Sequence, residues 1–179
     1  VAAPTAGASG VLPAVLLPLQ ARDGLDDRRM VEALYVASGF GMVIAARASI
    51  SGAEGGCQAE IGSGSGMAAG AICYIKGGDT DQIGHACAMA LKNLMGLVCD
   101  PVGGLVEVPC VKRNVGGAVN ALAAADMALA GITSKIPVDQ VIDAMKEVGD
   151  KMDVSLRETG VGGVAGTPAA QEVVEKLGM

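Results

Sequence analysis

From Pro137 onward, Val138, Val141, Ile142, Met145, Val148 and Met152 recur every three or four positions, while convincing alternation of apolar and polar residues is missing throughout the chain. That period buries one stripe of an α-helix and cannot bury one face of a strand. Similar signals predict further helices: about 28–46, capped by Asp26 or Asp27 with Met30, Leu34 and Ala37 on one face; from Asp79 or Thr80 to Gly96; from near Asn114 to Gly131; and a shorter one over 67–75. Pro137 suits the first turn of the striped helix. With only Phe40, Tyr35 and Tyr74 as aromatics, the core must be built from Ala, Val, Leu, Ile and Met, and 27 glycines imply closely approaching backbones. The expectation is an all-α protein: a single helical domain over 1–179, whose Gly-rich loops form the site.

A formal net charge of −6 argues against nucleic acid, which needs clustered basic residues. No segment reads as a clean membrane span, because Pro4, Pro13 and Pro18 interrupt the first apolar run and Arg47, Glu60, Lys76 or Asp100 cut the others. Five cysteines, an odd number without secretory marks, point to reduced thiols or metal ligands in a cytoplasmic protein. The opening VAAPTAGASG has neither initiator Met nor signal-peptide character and reads as the start of a piece from a longer parent.

Between the helices lie APTAGASG, SGAEGGCQAEIGSGSG, CDPVGG and TGVGGVAGTP, read as loops and hence as places for binding groups. Cys73 and Cys87 fall in apolar helical runs and read as small buried hydrophobes. Cys57, Cys99 and Cys110 fall in or beside the loops, with 41 and then ten residues between them, a spacing that fits no zinc finger. An iron-sulfur cluster accepts thiolates from distant loops, and three protein ligands leave one iron open. From spacing alone, a shared metal site and three thiols that never meet stand about even.

The words CDPVGGLVEVPCVKRN, EGGCQAEIGSGSGMAAG and APTAGASGVLPAVL closely resemble the alpha chain of the iron-sulfur-dependent L-serine dehydratases, and the resemblance runs in order from Pro4 to about Ala169. MALKNLMGLVCDP looks most like the two-chain form, which a separate beta chain completes. The resemblance implies that Cys57, Cys99 and Cys110 hold a 4Fe-4S cluster and that the activity is deamination of L-serine to pyruvate and ammonia without pyridoxal phosphate. It also implies that an isolated fragment is inactive. Pyridoxal phosphate would need a Schiff-base lysine with a phosphate cup; Lys76, the one lysine beside glycines, reads better as a solvated helix end. The chain ends KLGM, without the terminal cysteine of some single-chain relatives.

Candidate substrate-binding residues are Thr5 and Ser9, beside backbone amides before an apolar segment, and Lys112, Arg113 and Asn114, directly after Cys110. Ser63 and Ser65 could bond cluster sulfides, and Glu54 or Glu60 could orient a substrate amine. The general base is unassigned and is expected upstream of Val1 or on the partner. A homo-oligomer is compatible with all of this. The rival readings are a hydro-lyase for another small hydroxy acid, an electron carrier recruiting Cys73 or Cys87 as fourth ligand, and a silent helical scaffold.

Overall fold

In the computed structural model of the chain, which describes residues 3–178, eight α-helices account for most of the fold and no strand forms among the described residues. They are α1 (Val11–Asp23), α2 (Asp27–Arg47), α3 (Gly52–Gly55), α4 (Ser63–Ile75), α5 (Thr80–Asn93), α6 (Cys110–Leu129), α7 (Val138–Lys151) and α8 (Pro168–Leu177). Short 3-10 turns at Ala6–Ala8, Val102–Gly104, Val154–Leu156 and Gly163–Gly166 and a π-helical turn at Gln58–Gly62 complete it.

The starts of the helices follow their caps. The Asp26 carboxylate accepts from the Arg29 amide at 2.8 Å, and Asp79 and Gln82 form a reciprocal capping box at α5. In α7 the stripe buries Val141, Ile142 and Met145 as its period requires. α6 starts at Cys110, four residues before the expected Asn114, so Cys110 sits in a helical first turn rather than in a loop.

α4 is the hub. It packs against α1, α2, α5 and α6, and every residue from Ser63 to Cys73 is buried. A helix surrounded on all sides must be small: a Cβ on Gly70 would lie 2.6 Å from the Phe40 ring. The core divides into three clusters. The largest joins α1, α2, α4, α5 and α6 and contains Cys73; a second joins α2, α5 and α7 around Ile44, Leu91 and Ile142 and contains Cys87. Each large aliphatic side chain in them contributes roughly 1.5–3 kcal/mol on burial. The third cluster is Ala8, Cys57, Ile61, Cys99 and Cys110.

Three sequence expectations need correction. SGAEGGCQAEIGSGSG is not a loop: it is α3, the π turn and the start of α4 in near-continuous succession, because its glycines and alanines suit a crowded helix as well as a flexible segment. Leu34 is 47 % exposed, whereas Met30, Ala33, Ala37 and Ile44 form the buried face of α2. Finally, α2 does have the length and composition of a membrane-spanning helix. Its charged residues cluster in the first two turns and at Arg47, leaving a long apolar middle.

Candidate metal centre

Cys99 sits in an extended segment with both of its backbone groups fixed. Its amide donates to the Leu156 carbonyl at 2.8 Å and its carbonyl accepts from the Glu158 amide at 2.7 Å. The neighbouring Leu97 carbonyl accepts from the Gln58 amide at 2.8 Å, which ties the Cys57 turn to the Cys99 segment. From Cys99 the chain doubles back. Gly103 and Gly104 take positive φ angles of 60° and 71°, the Val102 amide reaches the Val108 carbonyl at 3.0 Å, and Leu105 to Val108 return to Cys110. The three thiols thus converge in one buried cluster although they derive from a π-turn boundary, an extended segment and a helix start.

Arg113, one turn into α6, fastens the convergence. One of its terminal nitrogens lies 2.7 Å from the Val98 carbonyl, 2.7 Å from Asp100 Oδ1 and 3.7 Å from Cys57 Sγ, spanning both flanks of Cys99 and the Cys57 thiol. Asp100 is 2 % exposed, and its other oxygen accepts from the Val164 amide at 2.6 Å, so this carboxylate also pins the Gly163–Gly166 turn. Gln58, equally buried, donates to the Met145 carbonyl and accepts from the Gly96 amide, leaving no unmet polar atom behind Cys57.

Hydrogen bonds among the three thiols favour a thiolate at Cys110 over one at Cys57 or Cys99. Hydrogen bonds from Cys57 and Cys99, helped by Arg113, hold Cys110 down at about 3. Its place in the first turn of α6 suits a thiolate. Donation to Cys110 pushes Cys57 up to about 11 and takes Cys99 above the usual thiol range. Cys73 and Cys87 lie apart in the helical cores, raised by burial alone or chiefly so. All five cysteines are free thiols.

The five proposed substrate contacts separate. Thr5 donates to Glu60 Oε1 at 2.9 Å. Asn114 is fully committed: it accepts from the Gly10 amide and donates to the Gly7 and Cys110 carbonyls, stapling the opening segment onto α6. Arg113 is engaged with Asp100 and the cysteine segment, not with open space. Ser9 lines a cleft of about 380 Å³ beside Cys110, with Gly7, Gly10, Val106, Val111, Asn114 and Val115, whereas Lys112 is exposed and outside that lining. Ser65 is occupied with Asn120 and the Gly117 carbonyl, while the buried Ser63 hydroxyl has no partner. Glu54 is exposed and accepts from Ser49. Asp100, read from the sequence only as part of the CDPVGG loop, is the group missed; an Asp between Cys99 and Pro101 gives no sign of a long-range ion pair.

The residues present fit a metal group. One oxygen of Glu60 and the sulfurs of Cys57 and Cys99 lie within 4.8 Å of one another and could hold a metal ion, with Cys110 in the same cluster. Room is kept by Gly52: a Cβ there would stand 2.9 Å from Cys99 Sγ. Buried soft thiols from separate segments suit iron-sulfur or zinc chemistry.

Fold and site together define a helical protein with a buried, thiol-rich centre that could hold a metal. The serine dehydratase alpha chain family is matched over residues 1–165, and the chain belongs to it. It is 57 % identical over 176 residues to a probable L-serine dehydratase alpha chain of Bacillus subtilis, covering 98 % of this chain and 59 % of that protein. A probable L-serine dehydratase alpha chain of Latilactobacillus sakei is 58 % identical over 93 % of this chain and 80 % of its own length. The L-serine dehydratase alpha chain of Peptoniphilus asaccharolyticus is 47 % identical over 97 % of this chain and 59 % of its own length. The chain thus spans about three fifths of the length of two of these relatives.

Proposed function

We propose that this chain is the cluster-bearing part of an L-serine dehydratase, with Cys57, Cys99 and Cys110 as the three protein ligands of a 4Fe-4S cluster. The observation that carries the reading is the convergence of these thiols in one pocket while Cys73 and Cys87 stay in separate cores. The family and the names of the relatives point to serine as substrate. When bound, such a cluster supplies an open iron that can act as a Lewis acid toward the substrate hydroxyl, easing loss of a poor leaving group.

The chain's own residues prepare that chemistry. Arg113 holds Cys57 and the Cys99 segment in fixed relation, and Asp100 holds Arg113. Asn114 keeps the opening segment against α6, so the cleft lined by Ser9 opens beside Cys110. Val111, Val115 and Val119 recur every fourth residue along α6, and all three are more than half exposed. Val111 and Val115 also line the cleft. An apolar rim of this kind supports a partner seated over it, which we take to be the beta chain. Free thiols at all five cysteines accord with a reducing cytoplasm.

The test is anaerobic reconstitution with iron and sulfide, followed by a serine assay with and without the beta chain. We expect a cluster absorption band from this chain, pyruvate only from the pair, and loss of the band in Cys99→Ser. Iron binding that survives replacement of all three cysteines would overturn the reading.

A further inference from the structure

Glu60 is the acidic group of the thiol pocket that has no cation. Thr5 satisfies Oε1. The other oxygen lies between two glycines, since a Cβ on Gly7 would stand 2.3 Å from it and one on Gly52 3.4 Å. Arg113, the basic residue already at the thiols, is committed to Asp100 and the Val98 carbonyl. Glu60 enters no ion pair among the described residues, although it is only partly exposed and lies within 4.8 Å of two thiols. A carboxylate in this position, facing further negative charge once thiolates form, calls for a positive group from outside the chain.

We propose that Glu60 anchors the α-ammonium group of the substrate, so that the pocket selects short β-hydroxy amino acids over the corresponding hydroxy acids. The inference rests on the cysteine pocket being the dehydratase site. A serine whose hydroxyl faces this centre carries its ammonium group two carbon atoms away, so a carboxylate beside the thiols lies within reach of that group. The second oxygen of Glu60, beside the Gly52 amide, accepts from the ammonium group while Thr5 holds the first in place. The glycines at 7 and 52 supply the room, because a side chain at either would occupy the space in front of the carboxylate. The same anchor separates the dehydratase from a hydro-lyase for hydroxy acids, which would gain nothing from an uncompensated carboxylate here.

The experiment uses the reconstituted alpha chain with its partner and compares wild type with Glu60→Gln, which keeps an oxygen for Thr5 but loses the charge. L-serine and glycerate, the same skeleton with hydroxyl in place of ammonium, are titrated against the cluster spectrum, and serine turnover is followed separately. We expect the KM and the spectroscopic dissociation constant for serine to rise roughly 10- to 100-fold, as for loss of one charge-assisted hydrogen bond. The kcat should stay within about 3-fold and glycerate binding should not change, as expected when only ground-state binding is lost. Equal weakening of serine and glycerate, a fall in kcat at constant KM, or loss of the cluster band would each overturn the anchor. A wild-type enzyme that neither turns over serine nor responds to it spectroscopically would remove the dehydratase reading and the anchor with it. An active wild type with an unshifted variant would remove the anchor alone.

Discussion

Replacing Asp100 by Asn tests whether one ion pair organises the cysteine pocket. The carboxylate uses both oxygens, one for Arg113 at 2.7 Å and the other for the Val164 amide at 2.6 Å. Asn has a single acceptor, so one donor must face an NH2 group in a site where residue 100 is 2 % exposed. Arg113, whose side chain is 19 % exposed, would keep its charge with only neutral acceptors. Breaking a buried pair from one side costs about 3–5 kcal/mol, a large part of the roughly 5–15 kcal/mol that holds a domain together. Urea unfolding of the metal-free chain under reducing conditions reads this directly. With a slope of about 2 kcal/mol per molar urea, the midpoint should fall by about 1.5–2.5 M. Thiol labelling of Cys57 should accelerate as Arg113 loosens. Lys146→Ala, which removes one exposed pair with Asp150, serves as control and should move the midpoint by no more than about 0.3 M. A midpoint for Asp100→Asn within about 0.5 M of wild type, with unchanged labelling, would refute the claim that the pair organises the pocket.

Serine substitutions should divide the cysteines: at 57, 99 or 110 the reconstituted iron content collapses, whereas at 73 or 87 it persists at a stability cost of about 1–3 kcal/mol for the buried hydroxyl. Gly52→Ala should lower urea stability by about 1–3 kcal/mol, since its new Cβ would stand 2.9 Å from the buried Cys99 sulfur, and it should lower iron retention as well. In the metal-free chain, burial raises the Glu60 pKa, so the folded state holds that proton more tightly than the unfolded state. Stability is then lost as pH rises from the ordinary carboxylate range through the raised value, and the penalty is complete above it. Glu60→Gln removes the penalty, so its Tm advantage over wild type should widen between pH 4 and pH 7; an advantage that is constant or shrinking would contradict the sign.

The helices with one apolar stripe and a capping Asp were legible in the sequence, because period and cap are local. α7 buries Val141, Ile142 and Met145 of its stripe and half-buries Val138 and Val148, and Asp79 caps α5. The glycine-rich helical stretch around Cys57 was not, since Gly and Ser signal loops unless tight packing compensates for their poor propensity, and the packing around α4 is a property of the whole fold. Leu34 failed for a related reason: a helix with apolar residues on several faces does not announce which face is covered. In the site, CDPVGG was legible as a loop, and Gly103 and Gly104 within it produce the reversal. The partners of Asp100, Asn114 and Glu60 lie up to 107 residues away, and no local pattern encodes them.

The pocket is also where the chain least follows the rules that stabilise it elsewhere. Here the helical ladder is interrupted by a π turn at Gln58–Gly62, a form that recurs at functional sites. Among the described residues, Glu60 within that turn enters no ion pair and the buried Ser63 hydroxyl just beyond it has no partner, while hydrogen bonds among the three thiols favour a thiolate at Cys110. The surrounding framework absorbs these costs: Gln58 is fully bonded, Arg113 and Asp100 are paired, and Asn114 uses its whole amide. Satisfied polar groups therefore form the wall behind the thiols, while Glu60 beside them enters no ion pair among the described residues. That division is expected where a bound group and a substrate supply the missing partners, and a scaffold packed only for stability would have no reason to keep it.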